Sequence, residues 1–320
     1  MWSRKNELRP HRSGGNAKAR RVNRKNILVL GASGMLGNAV FRQLSDDGRY
    51  AVTGTLRSAD ARRHFPNAGP ADLLANIDAA HDSDLIAAFT AAKPDVVINC
   101  IGVIKQTAAA SDPLPTLTIN ALLPHRIARL CAMTGARLIH ISTDCVFSGT
   151  RGNYREEDFA DASDLYGRSK YLGEVDHPHA ITLRTSIIGH ELGSRHGLVD
   201  WFLGQSGTVK GYRQAIFSGL PTVEVADVIA DFVIPNPGLS GVLHLSAAPI
   251  NKYDLLSLVA DVYEKTVDLQ ADDAISIDRS LDSSKFRAAT GYQPATWPEL
   301  VRKMHRSRNA WKQQSGAGSD

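Results

Sequence analysis

Tyr166 and Lys170 stand four positions apart in "LYGRSKYLGE". On a helix, that spacing projects both side chains from one face. A phenol titrates near 10, so it exchanges protons poorly at neutral pH unless its phenolate is stabilised. A nearby ammonium, together with the positive ring of an oxidised nicotinamide, supplies that stabilisation. Tyr166 would then protonate a carbonyl oxygen as hydride arrives at the carbon. A third group has to hold the oxygen, and "HISTDCVFSG" offers the hydroxyls of Ser142 and Thr143 where an apolar strand ends. Strand alternation aims only one of the two at a cleft. Asp144 has two readings, a hydrogen-bonding or acid group at the substrate and a carboxylate that caps a turn.

A tyrosine and lysine at this spacing are common, so the reading depends on the elements around them. Upstream, "NILVLGASGMLGNAVFRQL" runs from a short apolar strand through a glycine turn into a helix with apolar residues at Leu36, Val40, Phe41 and Leu44. Gly31 permits the tight turn, Gly34 lets backbone approach a pyrophosphate at the helix N-terminus, and Gly37 lets the helix pack on the sheet. Ser33, Met35 and Leu36 complete the turn that would contact the dinucleotide. "YAVTGTL", "DVVINCIG" and "RLIHIS" read as further strands, with "DSDLIAAFTAAKP" and "INALLPHRIARLCAMTG" as helices between them, ending at Pro94 and Gly135. Val/Ile-rich strands alternating with helices specify βαβ units, hence an α/β fold of Rossmann type with a doubly wound parallel sheet.

The end of the second strand sets the cofactor's 2′ group. An acid there would bond a ribose diol, whereas "GTLRS" places Arg57 and Ser58 at that point. A guanidinium suits a 2′-phosphate, so NADPH is the expected cofactor, with NADH as the alternative. Asp78 is expected near the adenine. Asn99, Cys100, Ile101 and Gly102 end the next strand beside the nucleotide.

Composition sets outer limits. The chain has 320 residues, 43% hydrophobic and 22% charged, the balance of an ordinary globular protein. No apolar run reaches the length of a membrane span. Cys100, Cys131 and Cys145 lack metal-ligand or disulfide spacing, so no metal is expected and a reducing cytoplasm is. The net charge of +4 conceals an asymmetry: nine Lys/Arg and one acid, Glu7, give the first 25 residues +8 and leave −4 on the rest. The basic pI of about 8.9 therefore reports a tail and gives no sign of a nucleic-acid-binding body. Residues 1–25 are expected to be a disordered basic tail, 26–185 an NAD(P)-binding Rossmann domain with late strands from about 214–247, and 186–315 mainly a smaller, interleaved substrate lobe. The C-terminal "QQSGAGSD" is expected to fray.

The G-x-x-G-x-x-G turn resembles that of the extended short-chain dehydrogenases/reductases. With "HISTDCVFSG…GNYREED" and "YGRSKYLGE…LRTS" added, residues 26–250 resemble the dTDP-4-dehydrorhamnose reductase family of sugar-nucleotide-binding reductases. The resemblance implies reduction of the C4 ketone of a nucleotide-linked 6-deoxyhexose by NAD(P)H for surface polysaccharide assembly. It places the family's catalytic threonine on Thr143, its tyrosine on Tyr166, its lysine on Lys170 and its central-helix asparagine on Asn120. Homodimers are common in the superfamily. This chain departs from the family where Cys145 replaces a tyrosine, Ser148 an aspartate and Ile187 an aromatic, which puts the identity of the sugar in question. The nucleotide-sugar pocket is expected to draw on Val103, Lys105, Asp144, Ile187, Trp201, Lys210 and Arg213, with His190, Glu191 and Tyr212 as further candidates. The cations would face a diphosphate and an aromatic would stack on a base. Two other functions share these features: sugar-nucleotide epimerase or dehydratase chemistry, against which Arg57 counts, and a non-catalytic NADP-binding regulatory subunit of methionine adenosyltransferase.

Overall fold

The computed structural model describes residues 24–104 and 112–314, with side chains to Trp311. The expected tail lies outside the described residues up to residue 23, as does Lys105. Lys25 already opens the first strand, and Gln313 and Gln314 continue a helix, Trp297–Gln314, where fraying was expected.

Six strands, β1 (Lys25–Leu30), β2 (Tyr50–Thr55), β3 (Leu73–Leu74), β4 (Val96–Asn99), β5 (Arg137–Thr143) and β6 (Ala180–Thr185), join Gly241–His244 in one seven-stranded sheet. All neighbours pair in parallel. The order runs Gly241–His244, β6, β5, β4, β1, β2, β3. From β1 the chain winds outward to β2 and β3, then returns to lay down β4 to β6 on the other side. That reversal opens a crevice between β1 and β4 at the carboxyl ends of the strands, where such sheets bind their ligands.

Both faces of the sheet are covered, so the central strands β1 and β4 read as nearly continuous apolar runs rather than alternating. Ile27 and Val29 of β1 enter one core cluster and Leu28 and Leu30 the other, and β4 divides Val96 and Ile98 from Val97 in the same way. Helix α1 (Met35–Asp47) follows the glycine turn and packs beside the helix Thr222–Val228, so a segment from the second half covers the first. Helix α2 (Asp82–Ala92) stops as expected before Pro94, with Lys93 left-handed at φ 44°. The short helix α3 (Pro113–Thr116) leads into a π-helical turn, Leu117–Leu122, and then into α4 (Leu123–Thr134), capped by Gly135. The sequence predicts a single α-helix from Ile119, and the wide turn is the departure. Helix α5 (Leu165–Leu172) carries Tyr166 and Lys170.

The larger core cluster contains Ile27, Phe217, Leu255 and Trp297, so strands of the first half and elements of the last hundred residues share one interior. Gly241–His244 closes the edge of the main sheet. Ala215–Phe217 belongs instead to a small sheet with Ile250–Asn251 and Ile277–Asp278.

Candidate active site

The glycine turn is shaped by how closely backbone approaches backbone. Gly31 sits at φ +81°, and a β-carbon there would lie 2.8 Å from Ile101 Cγ1; one on Gly37 would lie 2.0 Å from the Gly31 carbonyl oxygen. These two glycines let α1 begin against the strand ends, and the cleft wall itself is formed by Ser33, Gly34, Met35 and Leu36. Gly34 is the N-cap and supplies no side-chain cap, and the first turn of α1 holds no acid. Uncapped amides at a thirteen-residue helix start attract an anion, so the donor set fits a pyrophosphate.

On the other side of the crevice β5 delivers Thr143 at its last residue. The Thr143 hydroxyl lies beside the Tyr166 phenol on the cleft wall, donates to Asp144 Oδ1 at 3.2 Å and accepts from the Cys145 amide at 3.1 Å. Ser142 turns the other way and donates to Glu174 Oε1 at 2.7 Å, so Thr143 is the hydroxyl beside the phenol. Helix α5 reaches this strand end because of Gly167, where a β-carbon would stand 2.3 Å from the Cys145 carbonyl oxygen. Lys170 is buried and donates to the Ile141 carbonyl at 2.7 Å.

Burial raises the Tyr166 pKa, and the neighbouring Cys145 and Asp144 add to that, opposed by the Thr143 hydroxyl. Burial also pulls the Lys170 ammonium down to about 8, with Glu174 opposing. Burial pushes the Cys145 and Cys100 thiols up to about 12, so both stay protonated at neutral pH. Asp144, also buried, is raised by desolvation, against which the charge of Arg279 acts most. Asp144 lines the cleft, with the charges of Arg279 and Lys252 near it.

Polar networks hold this geometry from behind. Asn120, in the π-helical turn, accepts from the Val103 amide at 2.9 Å and donates to the Val103 carbonyl at 3.1 Å and to Ser169 Oγ at 3.3 Å. It is buried just behind the cleft wall and ties Val103 of that wall to helix α5. Glu174 receives the Arg184 guanidinium in a two-pronged bond, at 2.8 and 2.7 Å, with both side chains almost fully buried. Asn99 is likewise a support: its side chain meets His140 Nδ1 at 3.1 Å and accepts from the Ile101 amide at 3.1 Å.

One cleft of about 1050 Å³ joins the glycine turn to this cluster. Cys100, Ile101, Gly102, Val103 and Ile187 line it as expected, and Glu191 does too. Other expected residues lie off its wall. Arg57 is exposed and off this wall, just before a short 3-10 helix, Ala59–His64, whose Arg63, also exposed, lines the cleft. The Asp78 carboxylate accepts from the Ala80 amide at 3.0 Å and shapes its own turn. Lys210 and Arg213 are exposed and paired with Asp272 and Asp273, which strand pairing in parallel with Asp268–Asp272 brings alongside. Trp201 is 41% exposed on its helix, and His190 is tied between Asp200 and Tyr263 at 2.6 and 2.8 Å. Sequence reasoning missed Arg63, Lys252 and Arg279, all on the cleft wall. No local motif marks any of them. Among the described residues no cluster of metal-ligand type occurs, and no helix is long and apolar enough to cross a membrane.

A family model described as the RmlD substrate binding domain matches residues 25–309. The chain belongs to that family. Its relatives include the bovine (Bos taurus) methionine adenosyltransferase 2 subunit beta, 27% identical over 252 residues, 75% of this chain and 72% of that one. A dTDP-4-dehydrorhamnose reductase of Mycobacterium tuberculosis is 30% identical over 205 residues, 57% of this chain and 60% of that one. Among solved structures, the dTDP-4-dehydrorhamnose reductase of Bacillus anthracis in complex with NADP superposes with a TM-score of 0.72 at 19% identity, covering 89% of this chain and 99% of that one. The Bordetella bronchiseptica enzyme WbmG, in complex with NAD and UDP, gives 0.72 at 20% identity, covering 92% and 96%. In this RmlD-family chain two of the three departures noted in the sequence, Cys145 and Ile187, line the cleft, whereas Ser148 lies off its wall and donates to Asp161.

Proposed function

We propose that this RmlD-family chain is an NADPH-dependent reductase of the 4-keto group of a nucleotide-activated 6-deoxysugar, of the dTDP-4-dehydrorhamnose reductase type. The reading rests chiefly on one observation: a single cleft joins an uncapped helix N-terminus to Thr143, Tyr166 and Lys170, which line it together. The family and the NADP complex of the Bacillus anthracis reductase support it.

The first turn of α1 and the wall from Cys100 to Val103 would hold the dinucleotide, and Arg63 would face its 2′-phosphate. When bound, the dinucleotide supplies a hydride. Thr143 holds the ketone oxygen by its hydroxyl. Tyr166, kept protonated by its buried surroundings, gives that oxygen its proton as negative charge develops there. Lys170, anchored on the Ile141 carbonyl, places a positive charge behind the phenol and steadies the phenolate left after transfer. The mostly apolar surroundings strengthen each of these interactions. The setting expected for this work is surface polysaccharide assembly in the cytoplasm.

A second reading, a regulatory subunit that binds the dinucleotide without turnover, draws on the likeness to methionine adenosyltransferase 2 subunit beta. The intact Thr143, Tyr166 and Lys170 cluster favours the enzyme. The deciding experiment follows NADPH oxidation with a panel of 4-keto sugar nucleotides, including dTDP- and UDP-linked substrates. Oxidation on at least one is expected. Dinucleotide binding with no oxidation on any of them would reject the reductase.

A further inference from the structure

The far wall of the cleft carries charge that the reduction itself does not use. Four Lys/Arg side chains line the cleft among the described residues: Arg63, Lys170, Lys252 and Arg279. Arg63 sits beside the second strand's end and Lys170 is held by Ile141. Lys252 and Arg279 stand on the wall formed by Phe217 and Ile277, near Asp144. They come from opposite ends of the small three-stranded sheet, Lys252 from the first turn of the helix Lys252–Val262 and Arg279 just after the strand Ile277–Asp278.

Each is fixed, with donors to spare. Lys252 Nζ lies 5.1 Å from the centre of the Phe217 ring, and with the described residues this ammonium makes no hydrogen bond or ion pair. Arg279 Nε donates to the Phe147 carbonyl at 2.9 Å and Nη2 to the Ser148 carbonyl at 3.2 Å, which leaves Nη1 for something else. Two cations face one carboxylate, Asp144, so the wall holds an excess of positive charge in a half-buried place. Burial depresses the Lys252 ammonium, and Asp144 is the main group opposing this. Such an excess is stable when an anion completes it. Lys210 and Arg213, the exposed cations, are already paired with aspartates.

We propose that Lys252 and Arg279 form the anion subsite that takes the diphosphate of the nucleotide-linked substrate, with Asp144 between that subsite and the reacting sugar. The inference builds on the reductase reading only in taking the ligand to be a nucleotide sugar. A diphosphate spreads about two negative charges over several acceptor oxygens, which a lysine point charge and an arginine fork satisfy together. Thr143, next in sequence to Asp144, marks where the ketone is held, so the sugar would bridge the two ends of this wall.

The test is binding, separate from turnover. The full chain saturated with NADP+ is titrated calorimetrically with UDP and with dTDP, then with uridine and thymidine. Wild type is expected to bind at least one diphosphate far more tightly than its nucleoside, with affinity falling as salt rises. Lys252→Met is expected to weaken diphosphate binding roughly tenfold to a hundredfold, the worth of one hydrogen bond to a charged group, and to leave nucleoside and NADP+ binding alone. Lys252→Arg should restore most of the loss. Equal diphosphate affinity in wild type and Lys252→Met, or a wild type that binds neither diphosphate or binds one with no salt dependence, would overturn the subsite. Diphosphate binding of the expected pattern without NADPH oxidation on any keto sugar would keep the subsite and reject the reductase.

Discussion

Replacing Lys170 by methionine should abolish turnover and yet make the protein without dinucleotide more stable at neutral pH. Burial holds the Lys170 ammonium at about 8 against its ordinary 10.5. A tenfold loss of proton affinity corresponds to about 1.4 kcal/mol, so the buried charge costs about 3 kcal/mol relative to an unperturbed lysine. Methionine fills the space of the lysine stem without the charge. It leaves the Ile141 carbonyl without its 2.7 Å donor, which returns about 1–2 kcal/mol of that gain. The net expectation is a stabilisation of about 1–2 kcal/mol, or roughly 2–4 °C in Tm. The sign with pH is specific. Between the folded value near 8 and the unfolded value of 10.5, the unfolded chain binds more protons, so wild-type stability rises with pH across that window. By about pH 9.5 roughly 2 kcal/mol of the penalty has gone, and the variant should have no advantage left. Thermal unfolding of both proteins at about pH 7 and about pH 9.5 measures this. A variant less stable than wild type by the same margin at both pH values would refute the account of Lys170 as a strained, functional charge.

Tyr166→Phe should bind dinucleotide as wild type does while turnover falls by about 10²–10⁴, the usual worth of a general acid; an unchanged rate would remove Tyr166 from the proton step. Arg63→Ala should weaken NADPH binding more than NADH binding, whereas the exposed Arg57→Ala should affect both little; fluorescence titration of the two reduced cofactors separates them, and the reverse pattern would return the 2′-phosphate to Arg57. Glu174→Gln breaks a buried, two-pronged ion pair with Arg184 and also weakens the Ser142 anchor, so chemical unfolding should register a loss of about 3–5 kcal/mol.

What the sequence disclosed was whatever depends on neighbours along the chain. The glycine turn, the strand end at Thr143 and the Tyr166/Lys170 spacing each lie within one element, and the parallel sheet then brings them to one edge. Lys252 and Arg279 come from segments more than a hundred residues beyond Asp144 and meet it only because the small sheet closes over the strand ends. Lys210 and Arg213 looked like available cations because their partners, Asp272 and Asp273, lie about sixty residues away and are revealed only by strand register. Arg57 falls just off the cleft wall for a local reason, the 3-10 helix that starts two residues later with Ser58 as its cap. The π-helical turn has no sequence signal at all, since Leu117–Leu122 would serve as well in a regular helix.

That wide turn gives Asn120 a grip on two sides at once, on Val103 in the cleft wall and on Ser169 in the helix that bears Tyr166 and Lys170. The two walls of the cleft thus share one hinge pin. In an ordinary helix each residue advances about 100° around the axis, so removing one residue from the turn would swing the Asn120 amide away from both walls. Settling of a ligand against Val103 and alignment of the phenol would then become independent events. In the protein as it stands one side chain, Asn120, ties both walls together.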